Sequence, residues 1–229
     1  DGKVLILIDN APSAMILPAT LLDIMEEADD YYFPPITGSY LRISRLIIAI
    51  LTLFLTPLWL LLLEHPQWIP AGMEFIQVEG VIHIPVIWQL LFLECAIDGL
   101  KLAAINTPNT LSTPLSVIAG IVVGEFAVQS GWFNSEAMLY MAFVAIANYT
   151  QSNFELGYAL KFMRLMLLVL TELFALPGFI VGVLAVCFFI ASNKTVSGKS
   201  YLYPLFPFSG RQLKRRVLKE QTREKRRRN

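Results

Sequence analysis

Glu94, Asp98 and Lys101 stand at i, i+4 and i+7 inside an otherwise apolar run, so one face of a helix carries two carboxylates and an ammonium. Such a face is costly to turn toward lipid, and it needs a cavity or partners. Carboxylates one turn apart repel, and keeping both ionised takes water, a cation or a base. A water-filled cation path meets that need; so does an ion pair of Asp98 with Lys101. Glu125 and Glu172 are the other acids within apolar runs. If several copies close into a ring, each becomes a ring of carboxylates, which concentrates and selects cations. The pore or ion-path candidates are therefore Glu94, Asp98, Lys101, Glu125 and Glu172.

Other chemistry finds little support. His65 and His83 lack the spacing of a metal site and read as interfacial or hydrogen-bonding residues. No nucleophile stands with a base, and there is no Gly-rich phosphate loop, paired-Cys motif or aromatic-basic nucleic-acid surface. The expectation is a non-enzyme with no metal, no cofactor and no nucleic-acid partner. Cys95 and Cys187, alone in apolar runs, read as small buried side chains.

The elements that hold these residues follow from composition. Of 229 residues, 55% are hydrophobic and 16% charged, against roughly a quarter charged in soluble domains. Spanning a hydrocarbon core takes about 20 apolar residues in helix. Leu46 to Leu63 holds eighteen residues without a charge, and its Pro57 is tolerable in a membrane helix. Ile84 to Ile105 carries Glu94, Asp98 and Lys101; Leu115 to Phe133 carries Glu125. Ala137 to Thr150 is short for a crossing and reads as re-entrant, while Leu165 to Ala191, with Pro177-Gly178 near its middle, is a long tilted helix or a broken one.

Formal charge is zero, yet residues 211–229 hold ten basic side chains against Glu220 and Glu224. Arg42 and Arg45 precede the first run, and Arg211, Lys214, Arg215 and Arg216 follow the last. The positive-inside bias therefore places both ends in the cytoplasm, with these residues as orientation signals and anionic-lipid contacts. An even number of crossings follows, with Lys161 and Arg164 falling outside against the same bias. Trp68, Trp88 and Trp132 belong at the outer interface or fill helix contacts. Leu111-Ser112-Thr113-Pro114 reads as a helix start. Ser116, Gly120 and Gly124, and again Gly178 and Gly182, form small-residue stripes for close helix packing.

Residues 1–41 are different material, rich in Asp and Glu. VLILID reads as a short buried strand, Asn10 to Ser13 as a turn, and Leu21 to Ala28 as a short amphipathic helix. Forty residues are few for a core, so the stretch reads as the closing edge of a larger soluble domain.

The segments IDNAPSAMILPATL, DDYYFPP, GSYLRISRL, HPQWIP, LECAIDGLKLAAINTP and VGEFAVQSGWF, in order from about Val4 to Phe208, resemble the membrane half of bacterial spore germination proteins, the family of GerA-type receptor A subunits. TPNTLSTPLS and Glu125 in VGEFAVQSG look more like the branch called stage V sporulation protein AF. The resemblance implies a cytoplasmic N-terminal region before Asp1. It also implies an oligomeric, pentameric channel of the inner spore membrane that releases monovalent cations, with Glu94, Asp98 and Glu125 along or near its path. Other germination membrane proteins are implied as partners.

The expected fold is mainly α: a polytopic helical membrane domain over 42–200, of four or five spans with one re-entrant. The edge of an α/β soluble domain precedes it over 1–41, and a basic cytoplasmic tail follows over 201–229. A non-conducting scaffold is the competing expectation, its buried acids paired with Arg42, Lys101 or Arg164. A transporter, suggested by the re-entrant element and the Pro177-Gly178 break, comes third.

Overall fold

A computed structural model describes residues 4–9, 14–27, 32–106, 117–118, 120–151, 153–195, 198, 200–203 and 209–210. The chain divides into two compact units, one of residues 1–48, 150–156 and 184–229, the other of 49–149 and 157–183. The turn expected at Asn10 to Ser13, the helix start at 111–114, Ser116 and the tail residues Arg211, Lys214, Arg215 and Arg216 lie outside the described residues.

In the first unit, β1 (Val4–Leu7) and β2 (Ala14–Leu17) form an antiparallel pair with Val4 opposite Leu17 and Leu7 opposite Ala14. The strand expected from VLILID is there, but it is exposed rather than buried. Val4 and Leu7 are open to solvent, because among the described residues no second layer covers either face of the two strands. Helix α1 (Leu21–Met25) is shorter than the expected 21–28. Thr20 starts it, its N–H and Oγ1 both donating to Asp23 Oδ2 at 2.9 and 2.8 Å. The Leu21 N–H donates to the Tyr201 carbonyl at 3.1 Å, which ties α1 to the chain after the last helix.

Helix α2 (Pro35–Glu64) opens on a proline, whose missing N–H would be an orphan there anyway, and stops just before Pro66. Helix α3 (Val86–Asn106) follows two short 3₁₀ turns. A π-helical stretch, Gly120–Phe126, runs into the single turn α4 (Ala127–Gln129) and then α5 (Ser135–Tyr149). Gly131 makes the corner between them at φ 76°, a conformation that favours glycine, with His83 packed where a Cβ would point.

The last helix, α6 (Phe154–Ser192), is broken. Ala175 takes φ 50° and ψ −133°, and Pro177 follows it. Along an unbroken helix residues 167 and 182 would lie about 22 Å apart. Here a Cβ on Gly182 would stand 2.7 Å from Leu167 Cδ2, and one on Gly178 would stand 1.8 Å from the Leu170 carbonyl oxygen. The chain has reversed, and α6 is two antiparallel arms, 154–174 and 176–192. Of the two expectations for this segment, the broken helix is the one observed.

The core of the second unit joins Trp59 and Leu60 of α2, Val86, Ile87, Leu90 and Leu93 of α3, Ala137 and Met141 of α5, and Leu168 of α6. Trp59 Nε1 donates to the Ile76 carbonyl at 2.8 Å, and its ring stacks on Tyr140 with centroids 4.5 Å apart. Among the described residues, α2 and α6 are the two helices long and apolar enough, by length and composition, to cross a membrane. Both cysteines are free and exposed, not buried as expected. The apolar runs that carry them turn large side chains outward, among them Phe92, Leu184 and Phe188, so an apolar neighbourhood in sequence does not place a residue inside.

Candidate functional site

The charged residues of α3 meet those of the first arm of α6. Glu94 is 4% exposed and Arg164 1%; guanidinium Nη2 donates to Glu94 Oε1, and Nη1 donates to the Thr52 carbonyl of α2 at 2.9 Å. Lys161 sits one turn earlier, 5% exposed. Its ammonium donates to Asp98 Oδ2 and stands 3.5 Å from Glu94 Oε2. Four helix-borne charges thus interlock, and a backbone carbonyl of a third helix is drawn in with them. Lys101 takes no part in an ion pair at the described residues; its ammonium lies 4.6 Å from the Tyr149 ring centroid and 5.9 Å from that of Tyr158.

These contacts set the helix directions. Gln89 and Asn134 meet at the starts of α3 and α5, and Lys101 and Tyr149 at their ends, so the two run parallel. Arg164 reaches Thr52 and Glu94 together, while the first arm continues from Lys161 near Asp98 to Leu168 against the Leu90 cluster. That arm and α2 therefore run antiparallel to α3.

The other expected site residues lie apart from this network. Glu125 is exposed on the π-helical stretch and accepts from Gln129 Nε2 at 3.1 Å. Glu172, also exposed, faces Glu64 at the end of α2, and the like charges repel. Among the described residues, nothing lies within 4 Å of where a Cβ on Gly120 or Gly124 would go, whereas Gly178 and Gly182 pack within the hairpin of α6. Arg42 and Arg45, in the first turns of α2, pair with Glu26 at 3.6 Å and Glu27 at 2.6 Å. Lys161 and Arg164 lie buried on the first arm of α6, not in the outer loop where the even crossing count put them against the charge bias. Buried carboxylates hold them instead, a stronger demand than loop orientation.

Two features escape sequence reading. Lys161 as partner of Asp98 is one; the signal was the i, i+3 spacing of Lys161 and Arg164 at the mouth of an apolar run, matching Glu94 and Asp98 in a second run. The other is a buried amide lock. Gln89 Nε2 donates to the Ile84 carbonyl and to Asn134 Oδ1, both at 2.7 Å, and Gln89 Oε1 accepts from the Asn134 N–H at 2.8 Å. Among the described residues no group of three or more His, Cys, Asp and Glu could hold a metal.

A helical protein with two apolar helices of membrane length, held together inside by ion pairs and a buried amide pair, is the class these observations define. The chain belongs to the Bacillus/Clostridium GerA spore germination protein family, whose pattern matches residues 1–229. It is 37% identical over 214 residues to "Stage V sporulation protein AF" of Bacillus subtilis (strain 168), covering 93% of this chain and 43% of that protein. To "Spore germination protein A1" of the same organism it is 26% identical over 207 residues, 89% of this chain and 43% of the relative. "Uncharacterized membrane protein YfkQ", also of Bacillus subtilis (strain 168), is 23% identical over 217 residues, 93% of this chain and 42% of the relative. The chain thus spans less than half the length of these curated relatives. No solved structure matches it. Its apolar helices and the name of the last relative point to membrane association.

Proposed function

We propose that this chain is the membrane part of an oligomeric channel subunit of the spore germination machinery, releasing monovalent cations across the inner spore membrane. The observation that carries the reading is a pair of exposed carboxylates, Glu125 and Glu172, on segments whose apolar side chains also face outward. In a bilayer such acids need water or another copy of the chain against them, and a ring of copies around water supplies both. Neither forms an ion pair with a base among the described residues, so their charge is free to attract cations. At Glu94 and Asp98 the same charge is already taken by Arg164 and Lys161. In this reading the selectivity element is sought at the exposed acids, Glu125 first, rather than on α3.

The helix directions support six passes: α2, α3, the segment ending at Phe133, α5 and the two arms of α6. Six is even, so both ends share the cytoplasmic side, and α5 need not be re-entrant although its fifteen residues reach only about 22 Å. Membrane lipids and further copies of the chain are the partners in this reading, with no enzymatic step and no cofactor.

The deciding experiment is cation flux into liposomes bearing the full-length protein. Glu125→Gln is expected to lower flux and weaken the preference for cations over anions while the oligomer stays intact. Unchanged selectivity would move the path away from this residue. The scaffold reading is favoured by one observation, the complete pairing of Glu94 and Asp98; it expects a well-folded oligomer without flux, capturing other germination proteins.

A further inference from the structure

Asp98 stands within reach of two ammonium groups carried by different elements. Lys161 on α6 donates to its Oδ2. Lys101 lies three residues further along α3 on the same face, close enough to feel the Asp98 charge, yet its ammonium rests against the rings of Tyr149 and Tyr158. The group therefore holds three cations, Lys101, Lys161 and Arg164, for two anions, Glu94 and Asp98, and the surplus cation is parked on aromatic faces. Removing one member of a buried ion pair strands the other charge, which ordinarily locks such a contact shut. Here nothing need be stranded. Lys161 already stands 3.5 Å from Glu94, and the Asp98 side chain, 31% exposed, is the open edge of the cluster.

We propose that Asp98 is a two-position latch. In the observed position it binds Lys161 and ties α3 to the first arm of α6. In the other it takes Lys101 off the tyrosine rings to form a pair within α3, while Lys161 moves wholly onto Glu94. Arg164, fixed between Glu94 and the Thr52 carbonyl, stays as the pivot in both. The exchange lets α3 part from α6 at the Asp98 end with every charge still paired. This device stands whether or not the chain conducts ions.

The test uses the full-length protein in lipid nanodiscs with lysines carrying ¹³C-methyl groups, which keep their charge, and the Lys101 signal assigned by its loss in Lys101→Arg. In the unaltered protein the Lys101 methyl resonance is expected to carry a ring-current shift and microsecond-to-millisecond exchange broadening. Asp98→Asn should abolish the exchange and keep the shift. Lys161→Gln should abolish the shift, because Asp98 then draws Lys101 away. A salt bridge that is structural only would lower the unfolding temperature of Lys161→Gln and leave the Lys101 resonance in place; that result overturns the latch. If Lys161→Gln does not fold, the comparison of the unaltered protein with Asp98→Asn decides alone, and absence of exchange in both rejects the proposal.

Discussion

Replacing Arg164 by Leu removes a guanidinium that joins three helices, and its cost can be worked from the contacts. The Glu94 side chain is 5% exposed, so without Arg164 its carboxylate keeps only Lys161, 3.5 Å away and already engaged with Asp98. Removing one partner of a buried pair costs about 3–5 kcal/mol, because the remaining charge is stranded. The Thr52 carbonyl also loses its side-chain donor, a further loss of about 1 kcal/mol. For a chain of this size 1 kcal/mol moves the unfolding temperature by about 2–4 °C. Arg164→Leu in this chain, detergent-solubilised, should therefore unfold roughly 8–24 °C lower, by the same conversion. The paired change Arg164→Leu/Glu94→Leu removes both charges, and should recover most of the loss, since apolar replacement of a whole buried pair is often neutral. Thermal unfolding followed by circular dichroism measures both. The reasoning fails if the double variant is less stable than the single one, or if Arg164→Leu alone shifts the midpoint by no more than a surface substitution would.

Two further expectations rest on the same kind of accounting. Gln89→Leu leaves the buried Asn134 N–H and Oδ1 unpaired and should destabilise by about 2–4 kcal/mol, whereas the exposed Gln129→Leu should be near neutral; thermal unfolding compares them. Ala175→Gly relieves a backbone at φ 50° and should gain about 1 kcal/mol, while Gly178→Ala drives a methyl into the Leu170 carbonyl and should lose about 3 kcal/mol, both read from unfolding midpoints.

Much of the architecture was legible because it rests on local properties. Apolar run length marked α2 and α6, and Pro177-Gly178 marked the break in the latter. The i, i+4, i+7 spacing put Glu94, Asp98 and Lys101 on one helix, and buried charge implied partners for them. Which partners was not legible. Lys161 lies 63 residues from Asp98, and Arg164 lies 70 from Glu94, so only the packing of α3 on α6 could choose them over Lys101 and Arg42. Burial was misread at Cys95, Cys187 and the first strand for a related reason. Hydrophobicity states that a residue avoids water; it does not state whether protein, lipid or a second chain provides the shelter.

The reversal at Ala175 bears on how the chain is made. From Leu173 to Ala191 there are nineteen residues without a charged or amide side chain, and the turn falls among them. The two arms thus have no hydrophilic loop between them to emerge as a separate landmark during synthesis. A translocation machinery would meet one continuous greasy segment, and hydropathy plots would count it once. In the six-pass reading proposed above, the arms would enter the bilayer as a paired hairpin, with Gly178 and Gly182 against Leu170 and Leu167. In that reading a reporter domain spliced at the turn would pull the arms apart, and topology mapping by fusion would count them as one crossing.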